Sequence, residues 1–136
     1  MDLGFETIGN ATLIAYDGGR SVLVTDPWIA GSPYFGSWTF SHEIPSEQMA
    51  AIEQSEFVWL SHGHPDHLNQ ESRSRLSDKT ILLPNHVGQI IWQGLRDRGY
   101  RVRILEDNVW TKLSDSIRVL CLCDMNQDGV LLIDIN

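Results

Sequence analysis

Apolar residues fall along this chain in short runs separated by glycine, proline and polar clusters, and their spacing predicts most of the secondary structure. Residues 3–8 alternate around Phe5 and Ile8 and predict a first strand. Residues 11–16 and 21–25 predict two more, joined by Asp17-Gly18-Gly19-Arg20. Glycine accepts positive φ, so that junction reads as a hairpin turn. Glu56-Phe57-Val58-Trp59-Leu60 is apolar and aromatic, the pattern of a buried strand. Residues 80–83 predict another, stopped by Pro84. A short helix is predicted over 46–54, with a weak apolar face on Met49, Ala50 and Ile52. A second, over 86–98, places Val87, Ile90, Ile91 and Leu95 at helical spacing, with Asn85 as its N-cap and Gly99 past its end. Strands follow over 102–105, 109–112, 117–123 and 130–135. Strands first, then strands alternating with helices, predict an α/β sandwich with helices on its outer faces.

Length and composition narrow the class. A chain of 136 residues, 42% hydrophobic and 21% charged, is expected to form one domain over 1–136. Its 10 basic and 18 acidic residues leave a formal net charge of −8. That argues against nucleic acid as a partner, since phosphates need a basic surface. It leaves small anionic substrates open, because a bound metal ion inverts the local field. No apolar run is long enough for a transmembrane segment, and the N-terminus lacks a basic-then-apolar signal. The two cysteines, Cys121 and Cys123, lie two apart on a predicted strand. Neighbours on one strand face rarely form a disulfide, so buried thiols in a reducing, cytoplasmic setting are expected, with a Cys-x-Cys metal pair as the alternative.

The densest chemistry is in Ser61-His62-Gly63-His64-Pro65-Asp66-His67-Leu68, which carries three histidines and one aspartate. It follows the 56–60 strand and precedes a polar segment, 69–76, of helical character with Asn69 as a plausible N-cap. A strand-to-helix loop of this kind presents functional groups from a rigid scaffold. His62 and His64 are two apart and point to one side of an extended segment. Imidazole is the commonest zinc ligand, so the pair can bind one ion, and Asp66 and His67, beyond the turn at Pro65, can bind a second. The donors also suit manganese or iron. The alternative is a polar loop whose histidines only cap and hydrogen-bond.

His62-x-His64-x-Asp66-His67 resembles the signature of the metallo-β-lactamase fold superfamily. Thr7-Ile8-Gly9-Asn10-Ala11-Thr12 and Leu23-Val24-Thr25-Asp26-Pro27-Trp28 agree with it. Together they look most like the branch that holds the ascorbate phosphate lactonases, the phospholipase D acting on N-acyl phosphatidylethanolamine, and the metal domain of CMP-N-acetylneuraminate hydroxylase. The resemblance implies an αββα sandwich, of which this chain corresponds to the N-terminal half and a few strands more. It implies His62, His64, Asp66 and His67 as metal ligands, Zn2+ as the ion (two in the complete fold), and Asp66 as a proton acceptor or relay. It also implies that Asp26 lies beneath the histidines and orients one of them. On local grounds Asp26 is equally an Asp-Pro turn initiator, held extended by the proline after it.

Other features leave alternatives open. The connection 27–45 carries Trp28, Tyr34, Phe35, Trp38 and Phe40, which suit either a substrate wall or packing onto the body; His42 in the same loop is not assigned to the site. The family's third histidine has no counterpart in Leu122-Cys123-Asp124-Met125-Asn126-Gln127-Asp128-Gly129, where Asp124 or Asp128 could supply an oxygen. The chain is expected to be one piece of a larger protein, pairing with a second copy as a homo-oligomer or with a missing second half. The expected function is a metal-dependent hydrolase in which a metal-activated water attacks an ester, lactone or phosphodiester in a small-molecule substrate. The alternatives are a non-catalytic metal-binding or scaffold domain, and an iron-binding domain of a hydroxylase system.

Overall fold

The computed structural model describes residues 2–9, 12–27, 45–61, 78–85, 89–97, 99–123 and 129–136. The histidine-rich run 62–68, the polar segment 69–76, most of the aromatic connection with His42, residues 86–88 at the start of the second predicted helix, and residues 124–128 lie outside them.

Two antiparallel hairpin strands, β2 (Thr12–Asp17) and β3 (Arg20–Thr25), follow an edge strand, β1 (Leu3–Gly9). Gly18 and Gly19 make the turn at φ 59° and 79°, the left-handed conformation that glycine adopts without a Cβ penalty. Helix α1 (Ser46–Gln54) carries the chain over to β4 (Phe57–Trp59), which pairs parallel to β3. β5 (Thr80–Pro84), α2 (Gln89–Asp97) and β6 (Arg101–Leu105) continue in parallel, giving a six-stranded sheet in the order β1-β2-β3-β4-β5-β6. β7 (Trp110–Lys112), β8 (Ile117–Cys123) and β9 (Gly129–Ile135) form a separate antiparallel sheet.

The unbroken apolar runs of β3, β4 and β5 follow from this arrangement. Side chains alternate across a strand, so a strand covered on both faces is apolar throughout. Val24, Val58, Leu60, Ile81 and Leu83 face the helices and pack with Ala51, Ile52 and Leu95. Leu23, Phe57, Trp59 and Leu82 face the second sheet and pack with Ile117, Val119 and Cys121. The described elements therefore form three layers: helices, six-stranded sheet, three-stranded sheet. Trp110, Leu122, Val130 and Leu132 remain exposed on the second sheet.

Several local expectations hold. α1 has the predicted bounds, although Ala51 rather than Ala50 is buried beside Ile52. Gly99, past the end of α2, has φ 88°; the Tyr100 N–H donates to Leu95 O and the Gly99 N–H to Arg96 O, which satisfies carbonyls of the last turn. Phe5, by contrast, is 57% exposed. It lies three positions from buried Ile8, so on a strand the two face opposite sides, and Glu6 turns inward because its carboxylate accepts the Tyr16 hydroxyl at 2.9 Å.

Candidate metal centre

The parallel strands β3 and β4 end side by side, and their ends are tied through Asp26. Its N–H donates to Trp59 O at 2.7 Å, and its carbonyl accepts the Thr12 hydroxyl at 2.9 Å. Its carboxylate Oδ1 accepts the Ser61 N–H at 2.8 Å. Asp26 is only 5% exposed. Its φ of 38° is left-handed, not extended as the following proline suggests. Aspartate tolerates that region better than most residues, and hydrogen bonds at N–H, carbonyl and carboxylate together override the local preference. A non-glycine residue held this way is often found where function constrains the backbone.

Ser61 is the residue before His62, so the Asp26 carboxylate grips the root of the histidine-rich run. The sequence-based expectation put this aspartate beneath that run, and its bond to Ser61 puts it at the start of it. Leu60 extends the ladder, its N–H donating to Leu82 O at 3.1 Å. The end of β5 completes the same rim. Gly129, which opens β9, packs against both Pro84 and the Ser61 carbonyl: a Cβ placed on it would lie 3.1 Å from Pro84 Cβ and Cγ and 3.3 Å from Ser61 O. The ends of β3, β4 and β5 and the start of β9 thus meet around one backbone position. His62, His64, Asp66 and His67, with Asp124 and Asp128, lie outside the described residues. Among the described residues no group of three or more His, Cys, Asp or Glu side chains could hold a metal ion.

Among the described residues, the groups with shifted pKa values lie away from this rim and have structural causes. Burial pushes the Tyr16 hydroxyl up to about 12, helped by its hydrogen bond to Glu6. Burial also lowers the Lys79 ammonium, which donates at 2.6 Å to both Glu53 O and Ser55 O and so closes the end of α1. The Cys121 thiol is raised to about 12, first by burial and then by Cys123, whose sulfur is 3.7 Å away. Both cysteines are free, and Cys121 is buried on β8 as expected. Asp17 is lowered, chiefly by the Ser114 hydroxyl. Two residues of the rim had no role assigned from the sequence, although Thr12 closes the run 7–12 that agrees with the family signature. Thr12 is a hydroxyl on a strand, and Gly129 is a glycine in a polar connection; only the tertiary approach gives either a role.

No family model matches the chain. It is 28% identical over 113 residues to the cytidine monophosphate-N-acetylneuraminic acid hydroxylase of Danio rerio, an alignment covering 78% of this chain and 19% of that protein. The chain thus spans about a fifth of the length of the curated relatives it matches. Among solved structures it is similar to CmlA, a diiron β-hydroxylase from Streptomyces venezuelae. There the TM-score is 0.72 at 18% identity, covering 97% of this chain and 27% of that one. A metallo hydrolase from the archaeon Ignicoccus hospitalis gives a TM-score of 0.63 at 13% identity, covering 96% of this chain and 55% of that one. The chain has the metallo-β-lactamase fold, and its residues correspond to the N-terminal part of it. No helix among the described residues is long and apolar enough to cross a membrane.

Proposed function

We propose that this chain supplies the metal-binding part of a metal-dependent hydrolase, with His62, His64, Asp66 and His67 as the ligands. The observation that carries this reading is the buried Asp26 carboxylate, which holds the Ser61 N–H at the root of that run. Neutral imidazoles and a carboxylate form a donor set suited to zinc, and equally to manganese or iron. A bound ion of this kind lowers the pKa of a coordinated water to about 7 and polarises a carbonyl or phosphoryl oxygen. Asp66 would accept or relay the proton released as water attacks an ester, lactone or phosphodiester. Asp26 would hold the loop root still, which keeps the ligands at their distances. An oxygen from Asp124 or Asp128 would stand where related sequences use a third histidine.

A second reading has specific support: both the Danio rerio relative and CmlA are named as hydroxylases. On that reading the same residues would hold iron as one domain of a hydroxylase system. Elemental analysis of protein purified without added metal separates the two, zinc or manganese pointing to hydrolysis and iron to the hydroxylase system. His62→Ala combined with His64→Ala should abolish binding of the ion by either reading. Full retention of metal in that double variant would sink both.

A further inference from the structure

Gly129 is not at positive φ, so its lack of a side chain answers a need for space. The space is at the metal-binding rim, where Ser61 is held from two sides. Its N–H is fixed by the Asp26 carboxylate at 2.8 Å, and its carbonyl would lie 3.3 Å from a Cβ placed on Gly129. The Ser61 carbonyl shares one rigid peptide plane with the nitrogen and Cα of the next residue, His62. Whatever moves that carbonyl therefore swings the entry to the histidine-rich run. Gly129 is paired with Cys123 in the β8–β9 ladder, so it belongs to the second sheet, while Ser61 follows β4 of the first.

We propose that Gly129 is a positioning residue for the metal site: its lack of a side chain lets the second sheet close onto the Ser61 carbonyl, the peptide through which the chain enters the histidine-rich run. The inference rests on the metal-binding reading above. A methyl at this position must be accommodated by a shift of a few tenths of an ångström in Ser61, Pro84 or β9, because 3.1 and 3.3 Å are tighter than ordinary contact. Metal–ligand distances are defined to within about 0.2 Å, so a displacement of this size at the Ser61 peptide is large on the scale of a site built on the residues that follow it.

The test measures Zn(II) affinity by chelator competition and the visible spectrum of the Co(II)-loaded protein. Gly129→Ala should bind Zn(II) about tenfold more weakly or worse, in the range seen when groups supporting the ligands are lost. Its Co(II) bands should shift, reporting altered ligand geometry. Leu131→Ala is the control: Leu131 packs partly buried on the same strand, so its loss weakens β9 without touching Ser61. It should lower stability yet keep the wild-type affinity and spectrum. If Gly129→Ala does not fold, Pro84→Gly with Gly129→Ala removes the two closest contacts and leaves the methyl against Ser61 O. Compared with Pro84→Gly alone, it should still lose affinity. Wild-type affinity and spectrum in the variant that folds would overturn the positioning role while leaving the metal site in place. A wild-type protein that binds neither ion would overturn the metal reading and this inference with it.

Discussion

The β2–β3 hairpin carries an aspartate at each end, and the two make nearly the same bond for different ends. Asp17, at the turn, accepts the Ser114 hydroxyl at 2.6 Å and the Ser116 N–H at 3.0 Å. Asp26, past the other end of β3, accepts the Ser61 N–H at 2.8 Å. Asp17 ties the first sheet to the β7–β8 turn in an ordinary backbone conformation. Asp26 is buried, sits at positive φ, and is bonded at backbone N–H, carbonyl and carboxylate. A carboxylate bonded to neutral donors is thus common to a latch and to the rim proposed as a metal site. What separates them is backbone strain and the neighbouring chain: one leads into Ser114-Asp115-Ser116, the other into His62-Gly63-His64.

The largest break in this comparison should come from Asp26→Ala. It leaves the Ser61 N–H buried without its carboxylate acceptor, at roughly 1–3 kcal/mol, and puts a Cβ residue at positive φ without the polar side chain that tolerates it. Metal affinity, followed by chelator titration, should fall roughly 10- to 100-fold, as when groups supporting the ligands are removed. Asp17→Ala should leave affinity unchanged. Equal losses from the two variants would mean that Asp26 is a latch like Asp17.

Asp26→Asn should sharpen the point with a smaller effect. Asparagine keeps an oxygen acceptor for the Ser61 N–H and also visits the left-handed region readily. Thermal unfolding of the metal-free protein should move far less than for Asp26→Ala, and most of the affinity should survive. An Asn variant as damaged as the Ala variant would show that the negative charge of Asp26, and not its geometry, carries the function.

Much of this contrast could be read before any coordinates, though not all. The unbroken apolar run around Val58 marked a buried strand, and the structure buries it on both faces, the arrangement that erases the period-two signal. Asp17-Gly18-Gly19-Arg20 marked the turn because only glycine is at ease there. His62-x-His64-x-Asp66-His67 marked a candidate metal site because its donors are adjacent in the chain, and these residues lie outside the described ones. The backbone of Asp26 was misjudged, since the proline rule is local and the bonds that overrule it come from residues 14 and more than 30 positions away. Gly129 and Lys79 carried no signal: one is a close approach between sheets, the other a buried ammonium capping a helix 24 to 26 residues distant in sequence.

The smallest and most selective effect belongs to pH. The Asp17 carboxyl is held below its ordinary value of 3.8, first by the Ser114 hydroxyl, then by the Ser116 N–H, with a smaller contribution from Arg20. A depressed value in the folded state means that the unfolded chain binds more protons as pH falls, so stability rises with pH over that interval. The contribution of Asp17 is therefore complete above the ordinary value and disappears as pH drops through the depressed folded value. Urea unfolding midpoints of wild type and Asp17→Asn, measured from pH 7 to pH 2, should differ by a constant amount down to the carboxylate range and converge below it. Ser114 and Ser116 donate from neutral groups, so the gap should persist in high salt, whereas a gap due mainly to Arg20 would be screened. A pH-independent difference between the two proteins would show that the serine bonds do not depend on the charge of Asp17, and the latch would then owe its strength to packing at the turn.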